Sequence, residues 1–290
     1  LLSRLVAGIG YPLAARLGNL PWKDDRRDAA SDVAIRQAIA AINQTTRERF
    51  NTAEAILEKY LADDPGNVDL QAALAGLRMR GVQMGWYAPA EGLAAEGSAR
   101  ALLEKALAAR PRSLPVLDAY CRFLTFTNQF AESLVACARA LTVNPWNGTA
   151  LYNLGLTQLQ LGRFADALAT FEEADRYDTP EVSRWTWLLG AGWAKLLLGD
   201  NEEAAMLLRR SIAITPASGR PYLLLAVACR RLGRQEEARQ ALASAMELRP
   251  GSTARNVALP TRNVSDTFLT AINAIIRTLI EIGLPTGLPR

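Results

Sequence analysis

The stretch "LLLGDNEEAAMLLRRSIAITP", residues 196–216, has a near copy in "CRRLGRQEEARQALASAMELRP", residues 229–250. Gly199 returns as Gly233, Glu202 and Glu203 as Glu236 and Glu237, Ala204 as Ala238, Leu208 as Leu242 and Pro216 as Pro250, each 34 residues on. A fixed period of roughly 20–50 residues marks a chain of stacked units, and it decides the fold before any single element is placed.

Working outward, prolines close successive apolar-periodic runs at Pro65, Pro111, Pro145, Pro180, Pro216 and Pro250, at spacings of 46, 34, 35, 36 and 34. Each interval holds two helical patterns. In one, Leu151, Leu154, Gly155 and Leu159 share a face, the turn "QLGRF" follows, and Ala167, Phe171 and Ala174 share a second face. The next units repeat this with Leu188, Ala191, Gly192 and Lys195 before Ala204, Leu208 and Ser211, and with Tyr222, Leu225, Ala226 and Cys229 before Ala238, Leu242 and Ala245. Gly or Ala falls where two antiparallel helices must cross closely, since a larger side chain would push the axes apart. Proline ends the second helix because it has no N–H to donate and its ring clashes with the preceding turn.

These residues resemble the tetratricopeptide repeat (TPR). Leu151, Gly155, Ala167, Phe171 and Ala174, with Pro180 one place late, match its pattern, and Tyr222, Leu225, Ala226, Gly233, Ala238, Ala245 and Pro250 match it in register. Weaker copies run back through Leu117, Cys121, Ser133 and Ala140, then Ala99, Leu103 and Ala106, to Ala41, Ala53, Leu57 and Tyr60. The resemblance implies an all-α, right-handed superhelix of about six helix-turn-helix repeats over residues 32–252. The irregular unit, roughly 66–113, carries "RMRGVQMGWYAPAEGLAAEGS". Its Gly81, Gly85, Gly92 and Pro89 predict an interrupted or lengthened first helix, read either as a tolerated surface insertion or as a loop presenting Trp86 and Tyr87 to a partner.

After the repeats, Ser265 or Asp266 can cap a helix with Phe268, Ile272, Ile275, Ile276 and Leu279 on one face, stopped by Gly283 and Pro285. Repeat arrays need such a cover on their last apolar flank, and the expected seat is the second helix of the last repeat, near Leu242 and Met246. The domain reading is therefore an N-terminal helix and linker (1–30), a repeat array (31–258) and a capping helix with tail (259–290). In layout the chain resembles the C-terminal TPR region of bacterial class III adenylate/guanylate cyclases and of winged-helix or TolB-like regulators, with residues 1–20 as the last helix of an upstream segment.

Composition narrows the chemistry. Half of the residues are apolar and 21% are charged, as in a globular protein. No apolar run reaches the roughly 20 residues of a membrane-spanning helix. The net charge of +4 arises within residues 200–290, where 12 arginines face eight acids; this is too mild for a nucleic-acid binder. There is no histidine, hence no Ser-His or Cys-His nucleophile and none of the commonest metal ligand. Phosphate-loop and G-x-S-x-G patterns are missing too. The acidic pairs Glu202-Glu203 and Glu236-Glu237 suit the positive ends of helices better than an active site. Cys121, Cys137 and Cys229 are odd in number, at no metal or redox spacing, and read as small core residues of a reducing compartment.

The expected function is a non-enzymatic protein-interaction or regulatory module, without cofactor or metal, in the cytoplasm, as the C-terminal part of a signalling protein such as a cyclase. The alternatives are the corresponding module of a winged-helix regulator and an envelope assembly or export factor. In TPR arrays the first helices line a concave face. Here that face would offer Tyr152, Leu156, Leu189, Trp193 and Val227, rimmed by Arg220, Arg230 and Arg231. It departs from the Lys/Arg/Asn set with which chaperone-type repeats clamp a carboxylate, and suits an amphipathic helix or an extended apolar peptide.

Overall fold

A computed structural model describes residues 47–84, 86–176, 181–257 and 262–287, with Val33 and Ile35 besides. Segment 1–30, Ala41, Gly85 and Pro180, for which the sequence carried expectations, lie outside the described residues. The elements are α1 (Arg47–Asp63), α2 (Val68–Met84), α3 (Pro89–Ala109), α4 (Leu114–Phe126), α5 (Phe130–Val143), α6 (Gly148–Gln160) and α7 (Phe164–Arg176). They continue with α8 (Glu181–Leu198), α9 (Asn201–Ile214), α10 (Gly219–Arg231), α11 (Gln235–Leu248), a single turn α12 (Ala254–Val257) and α13 (Asp266–Ile282). No strand occurs among the described residues, and the fold is all-α, of helical hairpins stacked in the TPR manner.

Two compact units can be distinguished. One holds α1–α4 and residues 135–143 of α5; the other holds residues 128–134 and α6–α13. In the second unit α6 packs on α7, α8 on α9 and α10 on α11, while α7 meets α8 and α9 meets α10. First helices also touch first helices, α6 on α8 and α8 on α10.

The repeat is written into the backbone at the turn inside each hairpin. Asn128, Gly162, Gly199 and Gly233 all take a left-handed conformation, with φ of 59°, 76°, 89° and 78°. That is why three of the four are glycine. The acids behind this turn do what their positions imply: Glu202 and Glu203 lie in the first turn of α9, Glu236 and Glu237 in that of α11.

Where the two helices of a hairpin cross, a small residue on the first faces a large one on the second. A Cβ on Gly155 would stand 2.5 Å from Phe171 Cζ, and one on Gly192 would stand 2.9 Å from Leu208 Cγ. Ala226 and Leu242 hold the same places in the last repeat, both buried. Phe171, fully buried, also fills the space beside Gly190 on the next first helix. Burying such a side chain contributes roughly 1.5–3 kcal/mol.

In the α4–α5 hairpin the same two places are taken by Cys121 and Cys137, which are joined in a disulfide with Cα atoms 5.1 Å apart. This corrects the reading of three free core cysteines: only Cys229 is a free thiol, and it is buried. The bond stands in for the small–large contact of its neighbours.

The irregular unit absorbs its extra residues into helices rather than into a loop. α2 has 17 residues and α3 has 21, against 13 for α6 and α7. Pro89 opens α3, where a missing N–H costs nothing. The Glu91 side chain accepts from the Ala88 backbone N–H at 3.0 Å and holds that start. Gly92 and Gly97 are carried inside α3 by the alanines and leucines around them.

Candidate functional site

The first helices of the second unit, α6, α8 and α10, carry every residue expected in the groove. The structure divides those residues into an open set and a covered set.

In the open set, Leu156 is half-buried and Arg220 is exposed. Tyr152, half-buried, packs its ring on Phe171 at 6.3 Å and on Trp187 at 5.8 Å between centroids. Arg220, in the first turn of α10, is exposed, yet neighbouring protein takes part of its guanidinium's hydration. That desolvation pulls its guanidinium pKa below the ordinary range; the nearby Tyr152 opposes the shift and Arg249 adds to it. Arg220 still remains charged at any physiological pH. No carboxylate pairs with it among the described residues.

In the covered set, Leu189, Trp193 and Val227 are 5%, 3% and 0% exposed. A partner cannot reach these three as the chain stands, which corrects the expectation that they form an accessible surface together with Tyr152. The cause at Trp193 is α13. Its Phe268 lies against the Trp193 ring with centroids 5.9 Å apart, and its buried face is Phe268, Ile272, Ile275 and Leu279.

The cap chemistry of α13 follows the sequence. Ser265 accepts from the Phe268 backbone N–H at 3.1 Å, and Gly283 ends the helix at φ 132°. Its seat follows the expectation only in part. The Ser265 N–H donates to the Gln160 carbonyl at the end of α6 at 3.0 Å, and the helix then rests on α10 and α11 together. It thus covers α11, as a cap should, but it also crosses the first-helix side of the unit. Arg230, half-buried, comes within 4.0 Å of Glu281 near the far end of α13. Arg231 donates to the Leu196 carbonyl at 3.1 Å and ties α10 to α8.

Trp86 and Tyr87, in the other unit, are turned inward from the short link between α2 and α3. Both are half-buried. Their rings lie 5.1 Å and 5.6 Å from that of Phe50. The Tyr87 hydroxyl donates to Glu54 at 2.7 Å. Glu54 in turn accepts from Arg78 Nε at 3.2 Å, and Arg78 also reaches Ser98. Partial burial, and then the bond to the Glu54 carboxylate, push the Tyr87 phenol above the usual tyrosine range.

Among the described residues no three metal-ligating side chains are grouped, and no helix is long and apolar enough to cross a membrane. Sequence comparison matches tetratricopeptide repeat families at residues 127–182 and 152–219, and again at 195–257. No curated protein matches the chain significantly in sequence. Among solved structures it is similar to PilW, a widely conserved type IV pilus biogenesis factor, at TM-score 0.62 and 19% identity, covering 85% of this chain and 100% of that one. It is similar also to Pseudomonas aeruginosa PilF, at TM-score 0.59 and 23% identity, covering 79% of this chain and 96% of that one. At these identities the likeness is one of fold. Together with the left-handed turns and the small–large crossings, the family matches show tetratricopeptide repeats over residues 127–257 of this chain.

Proposed function

We propose that the chain is a protein-binding module whose partner enters the open part of the α6–α8–α10 face, at Tyr152, Leu156 and Arg220. The observation that carries this reading is Arg220: an exposed guanidinium close to Tyr152 on the same face, with no acidic partner among the described residues to neutralise it. A partner segment that is apolar along one side and carries a carboxylate suits such a face, because a charge-assisted bond there both orients and holds it. The test is a photo-reactive amino acid placed at position 156 or 220, with Met206, 48% exposed on α9, as control. The reading expects one adduct at 156 and 220, none at 206, and its loss on Arg220→Glu. Equal labelling at all three positions would sink it.

The setting of that interaction is the finer question. A cytoplasmic signalling protein of the adenylate/guanylate cyclase or winged-helix kind is one reading, and an envelope assembly factor is the other. The Cys121–Cys137 bond favours the second, since disulfides persist in oxidising compartments such as the periplasm and are kept reduced in the cytosol. The shared fold with PilW is compatible with that setting.

A further inference from the structure

α13 behaves as a ligand of the unit it belongs to. Its polar anchors lie at its ends: Ser265 on Gln160, Asn263 Nδ2 donating to the Asn128 carbonyl at 2.9 Å, and Glu281 near Arg230. Between those ends, no side chain of α13 hydrogen-bonds the repeats among the described residues. The contact there is apolar: four large side chains at positions 0, 4, 7 and 11 of one stripe, the pattern by which an amphipathic helix fills a groove.

One atom in this contact is poorly served. Trp193 Nε1 is buried and has no hydrogen-bond acceptor, although its ring is in contact with Phe268. A buried indole N–H without a partner opposes the arrangement that buries it. The groove is therefore well shaped for a helix, while α13 leaves its one buried donor unanswered.

We propose that the strip running from Trp193 along α10 to Arg230 is a helix-binding groove in which α13 is a tethered stand-in, exchanged for a helix of a partner protein. The partner helix has apolar residues at 0, 4, 7 and 11, a carboxylate near position 13 to meet Arg230 as Glu281 does, and a hydrogen-bond acceptor over Trp193 Nε1. This rests on the reading of the first-helix side as the binding face. It is tested without the natural partner, so it can fail while cross-linking at 156 and 220 succeeds, and the reverse.

The probe is a fluorescein-labelled peptide of residues 264–284, titrated into the full chain and into the full-length Phe268→Asp/Ile272→Asp variant, which ejects its own helix. The expected result is binding to the variant at least tenfold tighter than to the unaltered chain. Equal affinity for both, or none for a variant whose circular dichroism shows it folded, overturns the proposal. Should the variant fail to fold, native-state hydrogen exchange on the unaltered chain decides. α13 amides must exchange through a local opening, well before those of α10; exchange of α13 only with global unfolding overturns the proposal. Replacing Trp193 by benzothienylalanine, which keeps the shape and removes the N–H, should slow α13 exchange by on the order of tenfold. Unchanged exchange overturns the role given to the acceptor.

Discussion

Phe171 occupies the room that Gly155 leaves: a Cβ at 155 would stand 2.5 Å from Cζ of that ring. The ring is itself fully enclosed, with Gly190 of the next repeat pressing on it from the other side at the same distance. A methyl group can be admitted only by moving Phe171 off its rotamer or by parting the helices. Gly155→Ala should therefore destabilise the second unit by about 1–3 kcal/mol, the usual cost of overpacking. Urea denaturation followed by circular dichroism measures this, and an unchanged midpoint would show that the crossing is loose.

Two other glycines have open space where a Cβ would stand, yet the expected signs are opposite. Gly97 lies inside α3 with nothing within 4 Å, and Gly233 has equally open surroundings but φ of 78°. Gly97→Ala should stabilise by roughly 0.5–1 kcal/mol, because alanine loses less backbone freedom in a helix. Gly233→Ala should destabilise by about 1–2 kcal/mol, because its Cβ meets the following carbonyl in the left-handed region. The two melting temperatures, measured side by side, separate backbone conformation from packing. A rise for both would remove the argument about the hairpin turn.

The sequence made the hairpins legible because their signals are local. The left-handed turns at Gly162, Gly199 and Gly233, the acids behind them and the serine cap of α13 each follow from a few neighbouring residues. What could not be read locally was occupancy. Trp193 stands on the expected face, but whether it is open depends on where α13, whose Phe268 lies 75 residues further along the chain, comes to rest. Hydrophobic period alone could not distinguish a seat on α11 from one that also crosses α10.

The disulfide was missed for a different reason: a separation of 16 residues belongs to no cysteine motif. Register would have revealed it. Cys121 stands one 34-residue step before Gly155, and Cys137 one step before Phe171, so the pair falls on the place where every hairpin closes. In the irregular unit the glycines predicted an interrupted or lengthened first helix; α2, with 17 residues, is lengthened, while Gly92 and Gly97 are carried inside α3.

A count of thiols tests that pairing directly. Denatured in alkylating reagent without reductant, protein from an oxidising compartment should take one label, on Cys229; after reduction it should take three. Intact mass reads the difference. Three labels without reductant, from protein purified from its own cell compartment, would remove the support for an envelope setting.

Tyr87 separates a structural role for the α2–α3 link from a binding one. Its hydroxyl donates to the charged Glu54 that Arg78 also holds, so Tyr87→Phe leaves an acceptor with one partner fewer. The expected cost is roughly 1–2 kcal/mol, at the lower end for a bond to a charged group because the site is only half-buried. The pH dependence has a definite sign. The phenol's pKa is raised in the folded chain, chiefly by burial and then by Glu54, so folding favours the protonated form. Its contribution is complete below the ordinary tyrosine value of about 10 and declines as pH rises beyond it. The Tyr87→Phe chain should therefore be less stable than the parent at neutral pH, and the gap should close in alkali. If Trp86 and Tyr87 served a partner instead, Tyr87→Phe would leave the melting temperature of the free protein unchanged at both pH values.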